Sequence, residues 1–188
     1  MNYILFGTSP FSNTLGNWEP NKTIVTVGVN NFCKLPIHFR VANDAGSMWK
    51  IGKHKLDGKG IYHKNNYESF RQQFPQFNLA VVKLYEWSAD FTFKRNALYC
   101  RHSSAMAGIN WIIQDSYFNP NATGLNLIKP NIYLVGIDLT WGNRGEWRMT
   151  EMGAAIGRAT HYANIYRTNP QEELPLSFLP YKSLEELK

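Results

Sequence analysis

The feature that most restricts the fold of this chain is a set of short runs rich in apolar and β-branched residues, each stopped by Gly, Asn, Asp or a polar turn. Tyr3 to Phe6 (YILF) ends at Gly7, and Thr23 to Val29 (TIVTVGV) ends at Asn30-Asn31. Ile37 to Ala42 ends at Asn43-Asp44, Leu79 to Tyr85 (LAVVKLY) at Glu86-Trp87, and Ile132 to Leu139 is IYLVGIDL. A strand wet on one face alternates polar with apolar residues, whereas a strand covered on both faces loses that alternation. Runs of this kind, separated by helical or irregular stretches, predict an α/β fold. The expectation is a single Rossmann-like domain over residues 1–188, with a mostly parallel central sheet flanked by helices. A chain of 188 residues is long enough to bury such a core without cross-links.

The intervening segments supply the helices. Ala45 to Ile51 fits a short one. Arg101 to Tyr117 fits a longer one, capped by Ser103 or Ser104, with Ala105, Met106, Ile109, Ile112 and Ile113 as its apolar stripe. Arg148 to His161 is a third, whose Gly153 and Gly157 predict a face of close approach to the sheet. Asn164 to Arg167 reads as a last short strand, and Leu184 to Lys188 as a terminal helix. Residues 52–78 are basic, polar and punctuated by Gly. They are expected to form an irregular excursion with one short helix near Tyr67 to Gln73.

Composition narrows the partners. Twenty basic against 14 acidic residues give a net charge of +6 and a pI near 9.3, which favours anionic ligands such as nucleotides, nucleic acid or acidic glycans. Six Trp, 10 Tyr and 11 Phe provide faces for flat ligands as well as core. Cys33 and Cys100 make neither a disulfide framework nor a metal cluster, and both read as buried free thiols. No spacing of the five His matches a metal motif. The N-terminus lacks the basic and apolar regions of a signal peptide, and no apolar run approaches the ~20 residues that span a bilayer. A cytoplasmic protein without membrane partners is expected.

In open parallel sheets ligands bind beyond the carboxyl ends of the strands, near the point where strand order reverses. That rule selects Gly7, Thr8 and Ser9, whose backbone donors and hydroxyls suit a phosphate. It also selects Asn30 and Asn31, whose amides can read a base or ribose. Asp44 is either a ribose or metal ligand or the cap of the next helix. Asp138 can serve as a base or metal ligand. Ser103 and Ser104 open a helix, where donors and the helix dipole attract anions. His102 beside them can move protons near neutral pH. Trp141 and Trp147 flank Gly142-Asn143-Arg144-Gly145, a loop whose Arg144 can pair with phosphate.

Taken in order, ILFGTSPFSNTL, TVGVNNF, FRVAND, RHSSAMAGI, IYLVGIDLTW and the closing ANIYRTNPQEELPLSFLPYKSLEEL resemble segments of the bacterial sialyltransferases and their relatives. Those relatives are the glycosyltransferase-like domains of motility-associated factors and the archaeal-type 6-hydroxymethylpterin diphosphokinases. The resemblance spans most of the chain outside residues 52–100. It implies a nucleotide-linked sugar donor held by Thr8, Ser9, Asn30, Ser103 and Ser104, with no tightly bound cofactor. Asp138 or His102 would then be the base, and Arg144 a phosphate contact. The family's catalytic His after the Gly-Ile-Asp strand has no counterpart in TWGNRGEWRMTE. Three functions therefore stay open: a glycosyltransferase with a glycan or nucleic-acid acceptor, a Mg²⁺-dependent phosphoryl or diphosphoryl transferase, and a non-catalytic nucleotide- or nucleic-acid-binding module.

Overall fold

In the computed structural model the described residues are 1–100, 103–118, 129–137, 146–170 and 176–188, with the side chains of 146–148 excepted. Eight strands form one sheet, and every pairing in it is parallel. They are β1 (Asn2–Phe6), β2 (Val25–Val29), β3 (Phe39–Ala42), β4 (Lys59–His63), β5 (Val81–Ser88), β6 (Ala97–Tyr99), β7 (Asn131–Val135) and β8 (Asn164–Arg167). The helices are α1 (Ala45–Lys53), α2 (Lys64–Gln73), α3 (Ser104–Phe118) and α4 (Glu146–Ala159). The fold expected from the apolar runs is the one observed.

Strand order is β6-β5-β4-β3-β2-β1-β7-β8. The chain builds outward from β1 to β6, then returns through α3 and lays β7 on the free side of β1. Strand order therefore reverses between β1 and β7, which is the switch point where such sheets open a crevice. The register there is in step, with Leu5 beside Leu134 and Phe6 beside Val135.

The central strands β1 to β4 are covered on both faces, which is why they show no clean alternation. On one face Tyr3, Leu5, Val27, Val41 and Ile61 pack under α3 and α4. On the other, Ile4 and Phe6 lie with Leu15, Trp18, Phe32 and Leu187, while Ala42 and Tyr62 lie under α1 and α2. The terminal Leu184–Leu187 forms a 3-10 turn with a Ser183/Glu186 capping box. The Trp18 indole N–H donates to the Leu184 carbonyl at 2.9 Å, which ties the two ends of the chain together.

Four expectations are corrected. Residues 52–78 are not an irregular excursion, because they contain β4; the helix expected near Tyr67 to Gln73 is present as α2, which begins earlier, at Lys64. KGIYH escapes notice because only Ile61 and Tyr62 of its side chains are large and apolar. Gly157 does not make the close face expected of it, because a Cβ there would meet only the Phe178 ring, at 3.9 Å, whereas Ala155 and Ala159 of the same helix are fully buried. Cys33 is exposed, since it follows the buried Phe32 into the β2–β3 loop; Cys100 is buried as expected. The stripe on α3 proves too narrow as well, for residues 104–114 are buried all round. The polar Asn110 and Gln114 tolerate this by bonding the 92–99 segment: Gln114 donates to the carbonyls of Thr92, Lys94 and Ala97. Among the described residues no helix is long and apolar enough to cross a membrane.

Candidate functional site

At the switch point the loop after β1 is locked to the loop after β7. The Gly7 N–H donates to the Val135 carbonyl at 2.7 Å, and the Ser9 N–H to the Gly136 carbonyl at 3.2 Å. A Cβ on Gly7 would fall 2.2 Å from the Gly136 oxygen, so only glycine fits. Gly136 itself has φ +65, which glycine adopts without cost. Ser9 is buried and heads the 3-10 helix Pro10–Leu15. Two of the backbone donors expected to cradle a phosphate are thus already committed to β7. Thr8 is half-buried and makes no hydrogen bond among the described residues.

At the end of β2 the backbone of Asn30 turns left-handed, with φ 54, a conformation Asn tolerates better than most residues. Its N–H donates to the Val41 carbonyl and its carbonyl accepts from the Arg40 guanidinium, both at 2.8 Å. Held from both sides, it still leaves its buried Oδ1 without a partner. Asn31 beside it is half-buried.

Arg40 anchors this edge of the site. It is fully buried and donates to the carbonyls of Asn30, Phe32 and Asp57 and to the Asp57 carboxylate, at 2.7–3.2 Å. Burial pulls its pKa down, and the Asp57 charge opposes that.

At the end of β3, Asn43 gathers neighbours. Its N–H donates to Ser104 Oγ at 3.0 Å, its carbonyl accepts from the Asn66 amide, and its Oδ1 accepts from the Tyr85 hydroxyl at 3.5 Å. Asp44 is exposed, and its Oδ1 accepts from the Ser47 N–H at 2.7 Å, so it caps α1. Among the described residues no three His, Cys, Asp or Glu side chains gather as a metal would need.

At the end of β4 stands His63, the residue that precedes α2. Its ring meets Tyr85 edge-on at 5.7 Å, and its Nδ1 is buried without a partner. Burial lowers its pKa, so the imidazole is neutral at pH 7. The Tyr85 phenol is pushed well up by burial and stays protonated. Burial likewise pushes the Cys100 thiol up to about 12, which makes it a poor nucleophile.

Of the residues selected from sequence, the structure therefore joins Ser104 to the end of β3, sets Asn30 at the end of the neighbouring strand, and assigns Asp44 to a cap. Ser103 also caps, its Oγ accepting from the Ala105 N–H at 3.1 Å. His102, Asp138, Trp141 and Arg144 lie outside the described residues, and of Trp147 only the backbone lies within them. Sequence reasoning missed His63 and Tyr85 as site residues, whereas Asn43 lies at a strand end that it did select, together with Asp44. The signal available was GIYH, a β-favouring pair between Gly58-Lys59-Gly60 and Asn65-Asn66, which marks His63 as a strand-end residue. Chemically, this edge offers an imidazole, the carboxamides of Asn30, Asn31 and Asn43, and the Tyr85 hydroxyl along a row of strand ends. No family model, curated protein or solved structure matches the chain.

Proposed function

We propose that the carboxyl edge of the sheet binds a nucleotide-linked sugar and that the protein transfers the sugar to an acceptor hydroxyl. The observation that carries this reading is the neutral His63 imidazole, whose buried Nδ1 has no partner, at a strand end two strands from the unpartnered Oδ1 of Asn30. An orphaned acceptor in a folded protein costs free energy, and functional sites are where that cost is tolerated. The net charge of +6 favours an anionic donor, and the resemblance to bacterial sialyltransferases supplies the reaction class.

In this reading the acceptor oxygen bonds to the anomeric carbon while the bond from that carbon to the donor phosphate breaks. The nucleotide leaves with the bonding pair, and the hydroxyl proton passes to His63 Nδ1. The sequence alone assigned the base to Asp138 or His102. Asn30, Asn31 and Thr8 offer unspent polar groups to the nucleotide, and Arg144 belongs to the phosphate contacts on sequence grounds.

A thermal-shift screen of CMP-, UDP- and GDP-linked sugars tests the donor. At least one should raise the melting temperature, and a flat response to all three sinks the reading. His63→Gln should keep the shift and lose at least ~10²-fold in turnover, the usual worth of a general base. Full turnover in that variant would remove His63 from the reaction.

A further inference from the structure

A cleft of about 730 Å³ lies at the opposite edge of the sheet, where β3, β4 and β5 begin. Small-molecule sites run from ~300 to 1,000 Å³, so this one is of ligand size. Its apolar lining comes from Ile37, Phe39, Leu56, Phe77 and Leu79. Two cations, Lys55 and Lys59, stand in the same wall and are exposed.

The charge of the cleft is positive once its other groups are accounted for. Asp57 is the carboxylate in the lining, and it is already engaged. It accepts from the Ile37 N–H at 2.8 Å and lies 3.2 Å from the buried Arg40 guanidinium. The carboxyl end of α1 also arrives here, and bare helix carbonyls would repel an anion. Three of the last four are covered: the N–H groups of His54, Lys55 and Leu56 donate to the carbonyls of Lys50, Gly52 and Ile51.

The backbone of Lys55 adds an independent observation. It sits at φ 49, in the position after the helix end where glycine is the usual occupant. A lysine held there costs stability, and strained positions of this kind concentrate at functional sites.

We propose that this cleft binds a small amphipathic organic anion, its apolar body against Phe39, Phe77 and Leu79 and its carboxylate, sulfonate or phosphate against Lys55 and Lys59. The strained lysine then exchanges stability for ligand contact.

The test uses the full chain at neutral pH with two probes, 8-anilinonaphthalene-1-sulfonate for a ring body and dodecanoate for an acyl body. Saturable one-to-one binding of at least one is expected, and the tighter of the two identifies the body. Lys55→Gly should raise the melting temperature and yet weaken binding about ten-fold; Lys59→Gln should weaken it without that gain. Absence of saturable binding to the unaltered protein overturns the proposal. So does an unchanged dissociation constant in both variants, which would put the probe on the exposed Val82 and Trp87 of β5 instead.

Discussion

His63 is neutral in the folded protein because burial penalises its charged form, and this gives stability a pH dependence of definite sign. An unfolded histidine binds a proton near pH 6.5, and the folded one does so only at lower pH. Between those two values the unfolded chain holds more protons, so stability rises with pH through that window and is complete above 6.5. Chemical denaturation across this range should show the slope in the native sequence and a smaller one in His63→Gln. Identical slopes would mean that His63 is solvated. Arg40 behaves differently, since its role is to satisfy the carbonyls of Asn30, Phe32 and Asp57 as much as to meet a charge. Asp57 is half exposed, so the ionic part of the pair is screened. Replacing Arg40 with Met leaves three carbonyls orphaned and should cost about 3 kcal/mol or more in urea unfolding. A loss below 1 kcal/mol would show that water takes over those carbonyls.

Among the elements, β1, β2 and β7 were legible because burial on both faces leaves near-continuous apolar runs, and β8 was legible to the residue. β4 and β6 were not. β6 has three residues, too few to carry a period, and β4 hides within a basic segment because Gly60 yields its space to the Tyr62 ring. Losing β4 meant losing His63, so the site was read one strand short. The loop after β1 was placed correctly, but the use of its N–H groups was not legible, because β7 enters next to β1 only through a crossover from the far edge. Ser104 shows the same limit. It was expected to face a ligand, and its hydroxyl instead accepts from the Asn43 N–H. Ser104→Ala should therefore lower stability by about 1–3 kcal/mol and weaken nucleotide binding in parallel, because an N–H at a strand end loses its partner. Weakened binding with unchanged stability would restore Ser104 to direct ligand contact.

On the scale of the whole molecule, the parallel sheet makes its two edges chemically different. The carboxyl edge collects the strand-end residues and the start of α3, while the amino edge collects the end of α1 and the Lys55 cleft. β3 spans the distance between them with four residues, about 13 Å at the usual rise per residue. Two unit charges that far apart interact by only ~0.3 kcal/mol in water. Physiological salt, with a screening length of ~8 Å, reduces this about five-fold. Removing both Lys55 and Lys59 should thus change nucleotide affinity less than two-fold, even for a doubly charged phosphate. Conversely, His63→Gln should leave the amino-edge dissociation constant unchanged. Titrating each ligand in the presence of a saturating amount of the other measures the coupling directly. A coupling above five-fold would exceed anything simple electrostatics supplies across β3. It would require Arg40, which bonds both the Asn30 loop and the Asp57 loop, to take two arrangements.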